Sequence, residues 1–395
     1  MYPPVRQWFN QHFRDAQYEH LLAELHRHFP GALDFRVAET PIFIEESFWE
    51  QLETAGNEIV NIITHPQFLQ QMEAAIPERY RLPGEPPHPA FLQIDFALVK
   101  NDESGTIEPR LIELQGFPTL YCFQHLLGQT YQHVYQLPDT FTYLVPPFTA
   151  QTYLQALREI ILGKHAPENV VLLDLFPHRQ KTRIDFYCTQ HHFGVTPVCF
   201  TEIHHQNGRL YYQRKGQRIP IHRIYSRIIF DEVEARGISV PHFWKTPLEV
   251  EWIGHPNWYF KLSKYALPFI QNPCCPRTYF LSDISSTTIE LEKFVLKPLF
   301  SFAGSGVQLD LTPATLQAIG DPHHYILQEK VQYAPLIQTP AGAAKVECRL
   351  MYLWKDHPQL ATSLVRLSRG KMMGVDFNRS RQWVGSTIAF RVPTA

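Results

Sequence analysis

The sequence lacks several features that would direct a functional assignment at once. No CxxC pair occurs among the six cysteines Cys122, Cys188, Cys199, Cys274, Cys275 and Cys348. The adjacent pair Cys274–Cys275 suits neither a zinc knuckle nor a disulfide framework, so a reducing, cytoplasmic setting is expected. No stretch approaches ~18 consecutive apolar residues, which argues against a membrane span. The start, MYPPVRQWFN, has no apolar core of the kind that marks a signal peptide. Neither sign of charge dominates: the formal net charge is -2, without the basic field that nonspecific nucleic-acid binding requires. Histidine is plentiful at 20 residues, but the pairs His191–His192, His204–His205 and His323–His324 lie near turns without HExxH spacing. They read as solvated loop histidines rather than a zinc site.

What is present is an ordinary globular composition, 44% hydrophobic and 19% charged, over 395 residues, long enough for two or three domains. The 32 prolines are scattered, which suggests many loops rather than one disordered tail. Residues 1–90 read as mostly helical, since YEHLLAELHRHF and FWEQLETAGNEIVNIITHPQFLQQMEAAI carry apolar residues at helical spacing. FLQIDFALVK and TIEPRLIELQG then read as two strands around the turn-rich NDESG, followed by helices near Phe123–Tyr135 and Thr152–Leu162. NVVLLDLF is a continuous apolar run, as in a strand buried on both faces of a parallel sheet. With GVTPVCFTEI and HRIYSRIIF it predicts a small α/β layer unit over 165–240. The last region, 241–395, reads as strands: KFVLKPLF, GVQLDL, HYILQEKVQ, AKVECRLMYLW and QLATSLVRLSRG. The fold class is therefore α/β (α+β).

Two segments carry chemistry. A hairpin over 91–116 with its turn centred on Ser104 sets Asp95 opposite Glu113 and Gln93 opposite Gln115, all four on one face. Leu92, Ile94, Phe96, Leu98, Ile112 and Leu114 fall on the other as a core layer. Two carboxylates opposed across a strand pair repel. They are tolerated if one holds a proton, if basic residues intervene, or if a cation sits between them; oxygen-only ligands suit Mg²⁺. A solvated polar face with Lys or Arg neighbours accounts for them equally well. Pro109 fits such a ladder only in an edge strand. The second segment, FVLKPLFSFAGSGVQLDL, ends a strand at Lys297–Pro298 and continues into the small-residue loop Ser301–Gly306. It is neither a P-loop nor a dinucleotide fingerprint. A loop this poor in side chains can close its backbone N–H groups over phosphate, with Lys297 as a point charge, or be a plain flexible hairpin tip.

The order that follows is informative: Gln328–Glu329 after an apolar strand, then strands carrying Arg349 and Arg366, then Asn378. A lysine before a glycine-rich hairpin, a QE hinge and two Arg-bearing strands resemble the ATP-grasp superfamily. The resemblance implies that Lys297 contacts nucleotide phosphates and that Ser301, Gly304, Ser305 and Gly306 belong to a flexible lid. It implies that Gln328, Glu329 and Val331 line the adenine and ribose pocket. An ordinary ATP-grasp enzyme supplies its metal carboxylates after the arginine strands, but no acidic residue follows Asp376 here. The circularly permuted branch, such as the synthetase domain of glutathionylspermidine synthetase, carries them upstream as R-F-D-F…L-E-Y-N-x-D-T-P-T. This sequence reads Q-I-D-F…I-E-L-Q-G-F-P-T, and IHRIYSRIIFDEV resembles the VYRR segment of the same relatives. Gln93, Gln115 and Phe117 depart from the family's Arg, Asn and Asp.

The resemblance implies a circularly permuted ATP-grasp fold. Residues 1–90 form a helical segment outside it, 91–164 the metal-ligand hairpin and helices of the core, 165–240 a small pre-ATP-grasp α/β domain, and 241–395 the nucleotide-binding region with its lid. It implies ATP and Mg²⁺ as cofactors, with Asp95, Glu113 and Gln115 on the metal. Arg366, Arg227 and Arg349 would bind the acid or its acyl phosphate. The expected activity is an ATP-dependent carboxylate–amine ligase acting on small-molecule acids and amines. A kinase on the same scaffold and a nucleotide-binding protein without turnover are the alternatives.

Overall fold

Period-two alternation in four long apolar segments builds the largest sheet, whose strand order is Gly385–Thr387, Pro358–Ser368, Lys345–Trp354, Phe91–Lys100, Ile107–Gln115. All its pairings are antiparallel. The structure, a computed structural model, describes residues 2–284, 289–301, 304–374, 378 and 380–393. One face of the sheet, with Leu92, Ile94, Phe96, Val346, Cys348, Leu350 and Tyr352, packs against the helix Glu46–Ile63 through Trp49, Leu52 and Ile59. Each such side chain, fully buried, stabilises the fold by about 1.5–3 kcal/mol. Gly56 lets that helix come close: a Cβ there would lie 2.2 Å from the Tyr352 hydroxyl and 2.8 Å from Leu350 Cδ1. The other face carries the polar residues of interest.

The hairpin pairs Gln93 with Gln115 and Asp95 with Glu113, but the register shifts between Asp95 and Phe96, so that Phe96 faces Leu111. Ile112 is the extra residue of a β-bulge, and a one-residue insertion moves side chains to the opposite face. Leu111, not Ile112 as expected, therefore joins the core, while Ile112 borders a cavity. Pro109 sits in the outermost strand, where its missing N–H costs no ladder bond within the sheet.

The first ninety residues are helical in large part, with helices Pro3–His12, Asp15–His28, Glu46–Ile63 and Pro66–Met72. The long helical run expected after Phe48 breaks at Pro66, whose fixed φ opens the second helix. These residues also contribute a strand, Ile42–Glu45, parallel to Ala389–Val392, which ties the two ends of the chain together.

A four-stranded parallel sheet, ordered Glu251–Ile253, Arg223–Ser226, Val170–Asp174, Thr196–Cys199, forms a second layer. Its outer strand lies beyond residue 240, past the expected end of the small α/β unit. A third sheet is antiparallel, with Tyr325–Glu329 between Thr278–Phe280 and Phe294–Pro298. The expected strand GVQLDL is reduced to one bridge, Leu296 to Gln308, that folds the glycine loop back on its own strand.

Candidate active site

The polar face of the large sheet gathers charge by register alone. Asp95 lies opposite Glu113 on one side and opposite Arg349 on the other. Glu347, two residues before Arg349, lies opposite Arg366. Arg349 donates from Nε and Nη2 to the two oxygens of Asp95, at 2.5 and 2.6 Å, and from Nη1 to Gln93 Oε1 at 3.0 Å. Its Nη2 is 3.6 Å from Glu113 Oε1. Arg366 donates to Asp95 Oδ2 at 3.1 Å and to Glu347, whose other oxygen accepts from the Tyr333 hydroxyl at 2.5 Å. Gln115 donates its amide N–H to Glu113 at 2.8 Å.

Burial pushes the Glu113 carboxyl up, but the charges of Lys264, Arg349, Lys297 and Arg366 outweigh it and hold it at about 2. Glu113 is thus charged throughout the physiological range. On Glu347 the same burial wins, pushing its carboxyl up against the pull of Arg366. The Arg366 guanidinium loses to burial and gains more from Asp95, Glu347 and Glu113, so it stays above its ordinary value.

The three-stranded sheet faces this cluster. Lys297 and Gln328 lie on one face of it, diagonal to each other in the register. The Lys297 ammonium donates to Gln328 Oε1 at 2.5 Å and, across the gap between sheets, to the Ile112 carbonyl at 3.2 Å. The bulge is what turns that carbonyl toward it. Burial lowers Lys297 to about 8, with Glu113 partly restoring it. Lys264, from the 3-10 segment Lys264–Phe269, bonds the Ser301 carbonyl at 2.5 Å and sits 3.4 Å from Glu113. It ties the root of the glycine loop to the hairpin.

Between these elements lies a cavity of about 1020 Å³. Glu113, Gln115, Lys297, Ser301, Gly304, Gln328, Glu329, Val331, Arg349, Arg366 and Arg227 all border it. Asp95 lies behind Arg349, 1% exposed, and does not. Ser305 and Gly306 are exposed and do not line it, while Phe302 and Ala303 of the expected lid lie outside the described residues. Glu329 is held at the rim by Arg277 at 2.9 Å. Arg227, at the end of the parallel-sheet strand Arg223–Ser226, is buried between Phe117 and Phe186, its guanidinium carbon 4.8 and 5.3 Å from their ring centres. Its Nε and Nη1 have no hydrogen-bond partner among the described residues. Phe117 is brought there by Gly116, where a Cβ would meet the Trp258 carbonyl oxygen at 2.8 Å. Asp174, from the neighbouring parallel strand, is raised by burial to about 8, against the pull of Arg227.

The donor set can be tested against the two cofactors the resemblance implies. A nucleotide fits: the cavity is large, and Gln328 Nε2 and Ser301 Oγ are buried polar atoms without partners at its wall. A divalent cation does not fit the arrangement present. Both Asp95 oxygens are held by a guanidinium fork, Glu113 accepts from an amide N–H rather than standing beside an amide oxygen, and Glu347 is taken by Arg366 and Tyr333. Among the described residues, no group of three or more His, Cys, Asp or Glu side chains is arranged to hold a metal ion.

Lys264, Glu347 and Tyr333 were not legible as site residues from the sequence. For Glu347 a signal existed: it shares the period-two face of its strand with Arg349. Lys264 stands in the apolar stretch WYFKLSKYALPF, where a buried lysine implies a partner.

No family model matches the sequence, and no curated protein matches it. Among solved structures, a glutathione synthetase-like effector, GSS30 from Globodera pallida, in its apo form, matches with a TM-score of 0.59 and 10% identity. The match covers 96% of this chain and 97% of that one. The two proteins share a fold. At this identity the likeness concerns the fold alone. No described helix is long and apolar enough to cross a membrane.

Proposed function

We propose that the protein is an ATP-dependent carboxylate–amine ligase, built on a circularly permuted ATP-grasp scaffold and forming an amide or peptide through an acyl phosphate. The observation that carries this reading is convergence on one cavity of three separate elements. Lys297, Gln328 and the glycine loop come from one sheet, Arg349 and Arg366 from another, and Arg227 from a third. The volume of about 1020 Å³ is at the top of the roughly 300–1,000 Å³ typical of one drug-sized ligand, room for a nucleotide and an acid together. The early hairpin Phe91–Gln115 pairs with the late strand Lys345–Trp354, which supports the permuted order.

In this reading Lys297 and Lys264 meet the nucleotide phosphates, and the glycine loop closes its N–H groups over them. Gln328, Glu329 and Val331 flank the base and ribose. Arg227 and Arg366 hold the carboxylate of the acid. A carboxylate oxygen attacks the γ-phosphorus and ADP leaves; the amine then attacks the acyl carbon and phosphate leaves. Catalysis on this plan is positioning and charge neutralisation. Asp174, raised by burial to about 8, is ionised in a fraction of molecules at neutral pH, and in that carboxylate form it is a base in the cavity suited to take the proton from the attacking amine.

The test is ADP release from ATP with panels of acids and amines, with Lys297→Met and Arg227→Met as controls. Release that needs both acid and amine supports the ligase; release that needs only a hydroxyl acceptor makes the protein a kinase. A second reading, nucleotide binding without turnover, is favoured by one observation, that Asp95 is fully ion-paired. Nucleotide binding with no ADP release under any acceptor would establish it.

A further inference from the structure

The carboxylates that resemble metal ligands are already neutralised by the protein. Arg349 engages both oxygens of Asp95 and approaches Glu113 Oε1 to 3.6 Å, so its guanidinium bridges the two facing carboxylates where a shared cation would sit. Lys264 approaches the other Glu113 oxygen to 3.4 Å, and Arg366 spans Asp95 and Glu347. Asp95, Glu113 and Glu347 are thus set against Arg349, Arg366, Lys264 and Lys297, and one positive charge remains over. Arg349 is 3% exposed, and a guanidinium does not give up its proton in a protein. A divalent cation entering between Asp95 and Glu113 would meet this fixed charge at ion-pair distance. Gln115 turns its N–H, not its oxygen, toward Glu113, which completes the same pattern. The surplus charge faces the cavity, where Lys345 and Arg227 add to it, while Lys371 is paired with Asp310 at 3.7 Å.

We infer that Arg349 is a built-in replacement for a divalent cation, and that the cleft takes its phosphate-bearing ligand without metal. The choice of ligand rests on the nucleotide reading above; the replacement of the cation does not. Gln93 has a part in it, since its Oε1 accepts from Arg349 Nη1 and its Nε2 donates to the Thr119 carbonyl at 2.8 Å. It positions the guanidinium from the far side.

Two measurements on the whole wild-type chain test this. The first is calorimetric titration with the non-hydrolysable analogue AMP-PNP in Mg²⁺ and in EDTA. Ligands coupled through a shared site typically change each other's affinity by about 5–150-fold, so uncoupled binding predicts affinities within about threefold in the two buffers, or tighter in EDTA. Loss of affinity by tenfold or more on chelation, on the scale of that same coupling, overturns the inference and leaves the nucleotide reading standing. The second is Mn²⁺ titration without nucleotide, followed by electron paramagnetic resonance. No stoichiometric binding is expected; a stoichiometric Mn²⁺ site lost in Asp95→Asn or Glu113→Gln overturns the inference whatever the nucleotide does. Should AMP-PNP bind in neither buffer, the nucleotide reading falls and the Mn²⁺ result alone decides. Arg349→Met should acquire Mn²⁺ binding if its circular dichroism is native, and a folded variant that still binds none counts against the cation position.

Discussion

Asp95 and Arg349 face each other across the strands Phe91–Lys100 and Lys345–Trp354 and form a two-pronged ion pair that is almost wholly buried. A buried pair of this kind is expensive to break from one side. Arg349→Met leaves Asp95 with Arg366 alone, and we expect a loss of about 3–5 kcal/mol, read from urea unfolding midpoints. Arg349→Met combined with Asp95→Leu removes both charges. It should cost less than the sum of the single changes by more than about 1 kcal/mol, because contacting partners are not additive.

Lys297 links stability and binding to pH with opposite signs. Burial lowers its folded value to about 8, from the ordinary 10.5. Between those limits the unfolded chain holds more protons than the folded one, so the stability contributed at this position rises with pH across the window. Below 8 the burial penalty is present in full. Affinity for a phosphate ligand runs the other way and falls above pH 8 as the ammonium is lost. Calorimetry of AMP-PNP binding near pH 8.5 in buffers of different ionisation heat should therefore show proton uptake in the wild type and none in Lys297→Met.

The pairing of Asp95 with Glu113 was legible because period two is a local rule, and the turn residues NDESG fixed its centre closely enough. The bulge at Ile112 was not. One extra residue leaves the apolar pattern looking continuous, and only the neighbouring sheet, through Lys297, shows why that carbonyl must turn. The position of Lys345–Trp354 beside Phe91–Lys100 was out of reach for another reason. Nothing local in a strand names a partner some 250 residues away, so Arg349 could be singled out as a site residue but not as the neighbour of Asp95. Three carriers of site chemistry, Lys297, Arg366 and Arg227, were visible as charges at strand ends or on alternating faces. Lys264 and Tyr333, from a 3-10 segment and an irregular stretch, have no period to betray them.

Glu113 should govern acid sensitivity. Its carboxyl is held at about 2, below the ordinary 4.5, so the stability it contributes is complete above 4.5 and is lost as pH falls toward 2. Glu113→Gln should flatten the unfolding free energy over that interval, measured by urea titrations at successive pH values. An unchanged slope would remove Glu113 from the ion-pair network.

Gly116 holds a close approach rather than a turn. A Cβ would come 2.8 Å from the Trp258 carbonyl oxygen and 3.1 Å from Leu262 Cβ, both parts of a packed wall. Gly116→Ala should cost about 1–3 kcal/mol, the scale of overpacking. It should also shift Phe117 from its place over Arg227 and weaken acid binding more than nucleotide binding.

Arg227 offers the clearest separation of stability from function. Its Nε and Nη1 are buried without hydrogen-bond partners; the rings of Phe117 and Phe186 flank it, and its charge pulls on the buried carboxyls of Asp174 and Asp185. Leaving buried donors unmade costs about 1–3 kcal/mol, which offsets the lost attraction to Asp174 and Asp185, so Arg227→Met should leave the unfolding midpoint close to that of the wild type. If those donors await a carboxylate, their removal forfeits a charge-assisted pair, and the KM for the acid should rise by about 10²-fold. AMP-PNP affinity should be unaltered. A variant that unfolds more easily and binds acid normally would make Arg227 a structural residue, and the acid would then have to be sought at Arg366.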